Sequence, residues 1–249
     1  MTDAARAVRA EWVKFRSLPS NRITVAVAFA VIVAFAAMLL SVRPLEGEVA
    51  DVVPAPTELL AGVSWAQFVL ATLAVVAICS EWASGTSKVT FLAVPTRWPV
   101  LAGKVAVVGV AGLVAGATGG AAAFALASAM GVDLGSEPAL TIRLIAGAGL
   151  YLGTIAVLAL GIGTIVRDLT GSILTVAGFL WVVPFVAPLI PVPAVRELAL
   201  YLPTSAGLLL IAPDGSAVEL SPWGGYAVLL AWTAAALAGA VVTLRTRDV

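Results

Sequence analysis

The sequence predicts an all-α membrane protein with six transmembrane helices, and three observations carry that expectation. Six long apolar runs occupy residues 23–42, 64–80, 105–130, 144–166, 171–190 and 223–244. None of the fourteen basic or fourteen acidic residues falls inside a run. The composition is 61% hydrophobic and 11% charged, with mean hydropathy +1.07, far from the balance of a soluble domain of 249 residues. A hydrocarbon core about 30 Å thick takes roughly 20 apolar residues at 1.5 Å each. Five runs meet that length and 64–80 sits at the lower limit. The whole chain, 1–249, reads as one transmembrane domain.

Residues 1–22 form the first element. Val8, Trp12 and Phe15, followed by Leu18 or Pro19, recur at spacings of four and three, which places them on one helix face. Arg9, Lys14 and Arg16 flank that face, and Trp12 suits the interfacial layer. An interfacial elbow helix over 3–20 follows, with a basic topogenic signal lacking a fixed helix as the alternative. Ala34-Phe35-Ala36 resembles a signal-peptidase site, but the run stays apolar to Val42, so it reads as a retained span.

Residues 81–104 link the second and third runs. Ser80 is positioned to cap a short helix beginning at Glu81, Pro95 would end it, and Pro99 would open the next. Trp82, Phe91, Leu92 and Trp98 supply apolar anchors. A plain connector needs only a few polar residues, so this segment is built to touch something.

The third run carries Gly112, Gly116 and Gly120 at spacings of four, and the fourth carries Gly149 and Gly153. Such stripes let helix backbones approach where lipid offers no hydrophobic drive, within one protomer or between two. Gly103-Lys104 is followed by Val105, without a glycine five residues earlier, so no nucleotide-binding loop is present. The fifth run contains Pro184 and Pro188, which kink a helix and free carbonyls. Segment 191–222 holds apolar stretches too short to cross. It reads as short re-entrant or interfacial helices on the outer face, or as an ordered external loop.

Charge sets the orientation. An even number of spans leaves both termini on one face, and eleven of the fourteen basic residues lie there. Arg43, Arg143 and Arg196 are the three on the other. The positive-inside rule makes the basic face cytoplasmic. A multi-pass protein of the bacterial inner membrane with both termini inside is the expectation.

The chemistry is bounded by what is missing. There is no histidine and one cysteine, Cys79, so imidazole relays and intrachain disulfides are excluded. A zero net charge predicts no nucleic-acid partner. Ion-driven transport usually needs ionisable groups inside the membrane, and the spans have none. Gln67, Thr72, Thr118, Ser128, Thr154, Thr164 and Thr175 read as helix–helix or backbone hydrogen bonds rather than substrate ligands. No catalytic, metal-binding or cofactor-binding constellation is predicted.

Two motifs carry a resemblance. Glu11-Trp12-Val13-Lys14-Phe15-Arg16-Ser17 resembles the basic elbow of actinobacterial-type ABC-2 permeases. Glu81-Trp82-Ala83-Ser84-Gly85-Thr86, with Pro95-Thr96-Arg97 and Gly103-Lys104 after it, resembles their cytoplasmic connection between spans two and three. Six spans, both ends inside and a re-entrant segment before span six extend the likeness along the chain.

The resemblance implies an exporter subunit that is not itself an enzyme. It would pair with a second permease copy or a homologous permease and two copies of a separate ATPase, which holds the ATP and Mg. Glu81, Trp82, Gly85, Thr86, Lys88 and Phe91 would form the ATPase-coupling helix. Glu11, Trp12, Lys14 and Arg16 would add an elbow contact, while Arg97 and Lys104 would fix span three to headgroups. Glu81 as a simple helix-cap acid is the plainer alternative. An apolar, uncharged interior suits amphipathic or lipid-like cargo. A reading from another class is a membrane-embedded immunity or interaction protein that binds a ligand without transport.

Overall fold

Proline marks where many of the helices begin. The computed structural model describes residues 3–42, 55–83, 98–132, 134–135, 137–213 and 220–246. Helix α1 (Asp3–Ser17) leads into α2 (Pro19–Ser41), and a 3-10 turn at Glu58–Leu60 precedes α3 (Val63–Ala83). Then come α4 (Trp98–Ala129), α5 (Pro138–Val166), α6 (Leu169–Ala177) and α7 (Val183–Val186), followed by α8 (Pro193–Leu200), α9 (Pro203–Leu208) and α10 (Pro222–Thr246). Among the described residues there is no strand. Proline's fixed φ suits a first helical turn, where its missing N–H has no partner to lose. The preceding residues Leu18, Glu137, Val192 and Leu202 are all extended, as proline requires of its neighbour.

Among the described residues, six helical stretches are long and apolar enough to cross a membrane: Pro19–Ser41, Glu58–Trp82, Trp98–Ala129, Pro138–Val166, Leu169–Leu189 and Pro222–Thr246. They contain the six apolar runs almost entirely, and several extend past them because helices also include their polar end turns. The third span begins at Trp98 rather than 105, and its 32 residues make it about 48 Å long. Its first turns therefore reach beyond a 30 Å core. The second span runs without interruption through Ser80 and Glu81 to Ala83, so Ser80 does not cap a new helix there. No glycine or proline interrupts it before Gly85.

Burial divides the spans into two sets. Spans two, three and four are 61%, 56% and 72% buried over their most apolar windows, whereas spans one, five and six lie near 20%. The middle three form the core. Glycine makes this approach close: a Cβ on Gly112 would lie 2.8 Å from Gly153 Cα, and one on Gly149 would lie 2.8 Å from the Leu113 carbonyl. Gly116 sits equally tightly on Ala148 and Gly149, and Gly120 faces Ile145. The two stripes thus pack on each other within one chain, between spans three and four.

The fifth span is broken as its prolines require. A π turn at Gly178–Val182 separates α6 from α7, and a 3-10 turn at Ala187–Leu189 ends the span. Pro184 lacks the N–H that would normally bond the Leu180 carbonyl. The Thr204 hydroxyl donates to that carbonyl instead, at 2.8 Å. Thr204 comes from the segment between spans five and six, where Pro193–Leu200 and Pro203–Ile211 are bent by 56° relative to each other. The second limb is largely buried: Thr204, Ala206, Gly207, Leu210 and Ile211 all lie inside.

Candidate functional site

Four charged side chains from three helices meet where α1, the end of α3 and the start of α4 come together. Gly103 permits the approach, because a Cβ there would stand 3.1 Å from the Ala7 backbone and from Glu11 Cγ. Lys104, the next residue, donates to Glu11 Oε2 at 2.9 Å and to Glu81 Oε1 at 2.7 Å. It also donates to the Ala77 carbonyl at 3.3 Å. Lys14 closes the figure with bonds of 3.1 Å to Glu11 Oε1 and 2.8 Å to Glu81 Oε1. The result is a ring of alternating cation and carboxylate with no net charge.

Burial makes the two lysines different. The Lys104 side chain is 4% exposed and that of Lys14 is 44% exposed. A buried ammonium is tolerable only when paired and hydrogen-bonded, and Lys104 has two carboxylates and a carbonyl. Partial burial disfavours the Lys14 ammonium, but the hydrogen bond and charge of Glu81, with those of Glu11, outweigh it. The Lys14 pKa is raised above the ordinary lysine value.

This arrangement corrects one expectation: Lys104 does not reach headgroups but is enclosed by Glu11 and Glu81. It also fixes which face of α1 meets the bundle. Val8, Trp12 and Leu18 are exposed, whereas the face with Ala7 and Glu11 packs on α4. The buried lysine demands a carboxylate, so the charged face goes inward and the apolar stripe is left outside. Trp12 stacks on Phe15 with ring centroids 6.2 Å apart. Arg16 is exposed, and its backbone carbonyl accepts from Arg22 Nε at 2.9 Å.

Trp82 belongs to a second junction at the same end of the bundle. The Arg167 guanidinium lies over its ring, 4.4 Å from the centroid, a cation–π contact. Arg167 also donates to the Thr243 carbonyl at 3.0 Å. It occupies the left-handed region, φ 63°, where the chain turns from span four into span five. The ends of spans two, four and six are joined through this one side chain. Gly85, Thr86, Lys88, Phe91 and Arg97 lie outside the described residues.

A half-open cavity of about 520 Å³ adjoins the ring. Ser17, Ser20, Asn21 and Ser80 line it beside the charges, and Val76, Val107 and Val108 form an apolar wall. Among the described residues no three His, Cys, Asp or Glu side chains gather as metal ligands.

A neutral polar cluster lies deeper in the bundle. The fully buried Tyr151 hydroxyl donates to Gln67 Oε1 at 2.6 Å, joining span four to span two. Gln67 Nε2 donates to the Ser64 carbonyl at 2.9 Å, and Thr204 contacts the same Tyr151 hydroxyl. Thr154 and Tyr226 share a hydrogen bond of 3.1 Å between spans four and six. Thr118, Thr164 and Thr175 bond carbonyls of their own helices, as expected of hydroxyls in spans. Sequence reading missed the ring and the Arg167 junction. One available signal was helical spacing: Ala7, Glu11 and Lys14 share a face, offset from the stripe. The chain matches no protein-family model and no curated protein.

Proposed function

We propose that this chain is the membrane subunit of an ATP-driven ABC-2 type exporter, moving an amphipathic or lipid-like substrate outward with a separate ATPase. The observation that carries this reading is the ring itself. Glu81 and Lys104 flank segment 84–97, and both are bonded to α1. A force applied to that segment by a docked ATPase would pass to α1, span two and span three together. A connection that only joined two spans would not require four charges tied across three helices. The absence of ionisable groups from the middle of the spans supports an energy source outside the membrane.

Co-expression with a candidate ABC ATPase from the same genome, followed by detergent pull-down, tests assembly. A stable complex whose ATPase activity responds to this chain is expected. Glu81→Lys sets a third cation beside Lys14 and Lys104, and should abolish that response while leaving a protein that still inserts. No association with the ATPase, or an undiminished response in Glu81→Lys, would refute the proposal.

A further inference from the structure

We propose that the cavity beside the ion-pair ring is a binding site for one phospholipid with a zwitterionic, primary-amine headgroup of the phosphatidylethanolamine class. The site stands on its lining and does not depend on the transport reading. Its volume, about 520 Å³, lies within the range of ligand pockets. Its lining is of two chemical kinds: the ring with Ser17, Ser20 and Ser80, and the valines Val76, Val107 and Val108. Val76 is 38% exposed, so this wall continues onto the outer surface of span two.

Depth along the spans agrees with this assignment. The cavity lies where the second apolar run ends at Ser80-Glu81 and the third begins after Lys104. In a bilayer that level is the boundary between headgroups and acyl chains. A lipid seated there would place its phosphate by Lys14, the more open ammonium, within reach of the serine hydroxyls. Its chains would follow Val76 outward.

The ring also selects among headgroups. Among the described residues the lining carries two cations and two carboxylates, which cancel and so give no net attraction for an anionic lipid. A zwitterion finds a partner for each of its charges. A primary ammonium donates three hydrogen bonds, and ionised carboxylates accept through about four lone-pair positions. A trimethylammonium donates none and is recognised by cages of several aromatic rings. Among the described residues, Phe15 is the one aromatic side chain lining the cavity.

The test is native mass spectrometry of the full chain, delipidated in mild detergent. Phosphatidylethanolamine, phosphatidylglycerol and phosphatidylcholine of matched chains are titrated separately. One phosphatidylethanolamine per chain should bind at least tenfold more tightly than either of the others. Lys14→Gln removes the open ammonium but keeps both Lys104 bridges, and should weaken binding about tenfold. Val76→Trp leaves the ring intact and blocks the apolar wall, so it should do the same. Should one variant fail to fold, the other still decides. Equal binding of all three lipids would mean annular lipid only and overturn the proposal. So would preference for phosphatidylglycerol, or wild-type affinity in both variants. Soluble phosphoethanolamine should bind at least tenfold more weakly; equal affinity would show that the valine wall takes no part and would also overturn it.

Discussion

The chain attaches its peripheral helices to the core in two chemically opposite ways. At one end α1 is held by four charges, Glu11, Lys14, Glu81 and Lys104. Deeper in the bundle, α9 is held by hydroxyls and an amide: Thr204 on the Leu180 carbonyl, with Tyr151 on Gln67 alongside. The difference follows from depth. A charge at mid-bilayer costs at least about 2.5–3.5 kcal/mol even on insertion scales, so the deeper junction uses neutral groups. Near the headgroups charges are affordable if paired, and their longer reach lets one lysine tie three helices. The neutral junction gives direction and the charged one gives strength.

If that contrast is right, Lys104 should be the most damaging position to change. Lys104→Met removes the buried cation between Glu11 and Glu81 and leaves, among the described cations of the ring, the half-exposed Lys14. Breaking a buried ion pair on one side costs about 3–5 kcal/mol. Thermal or SDS unfolding in detergent should register that loss. Lys104→Met combined with Glu11→Leu and Glu81→Leu should recover much of it, since apolar replacements of a whole buried ion set are often neutral. A single variant as stable as the parent would mean that the ring does not hold α1.

The neutral junction should yield less. Tyr151→Phe deletes the hydroxyl that satisfies Gln67, and Thr204→Val leaves the Leu180 carbonyl without the donor that replaced Pro184. Interhelical hydrogen bonds in membranes are worth about 0.6 kcal/mol on average and rarely exceed 1.7. Each variant should therefore lose about 0.6–2 kcal/mol, well below Lys104→Met. Protection of the 198–211 backbone from hydrogen exchange should fall more in Thr204→Val than that of α1. A loss as large as that of the ring would erase the distinction between the two junctions.

These two junctions were not equally legible in the sequence. Apolar length located all six spans, and spacings of four located the glycine contacts between spans three and four. The prolines of span five announced a break and freed carbonyls, but their rescuer, Thr204, lies 24 residues away and leaves no local pattern. Lys104 misled because apolar runs end at the first charge, although the helix does not: span three starts at Trp98, and Lys104 is 3% exposed within it. Hydrophobic periodicity marked the stripe of α1 that stays outside, not the face with Ala7 and Glu11 that packs on α4. Periodicity reports which face avoids water, and on a membrane surface lipid can cover that face as well as protein can.

The smallest effect should come from Lys14, which separates the open side of the ring from the closed one. Its partners are Glu11 and Glu81, with Lys104 as the nearby like charge. Burial opposes its charge, but the carboxylates outweigh burial and raise its folded pKa above the ordinary lysine value, so its pairing stabilises fully below about pH 10. That contribution disappears as pH rises through the raised pKa. Lys14→Met should therefore cost about 0.2–1 kcal/mol at neutral pH, the scale of exposed ion pairs. The gap between parent and variant should close as pH rises through that raised pKa, beyond which both lack the charge. Unfolding midpoints of the two proteins from pH 7 to 12 measure that gap, and other lysines largely cancel in the difference. A gap that is constant across the range would mean Lys14 acts through its aliphatic stem, and that the ring's electrostatics reside in Lys104 alone.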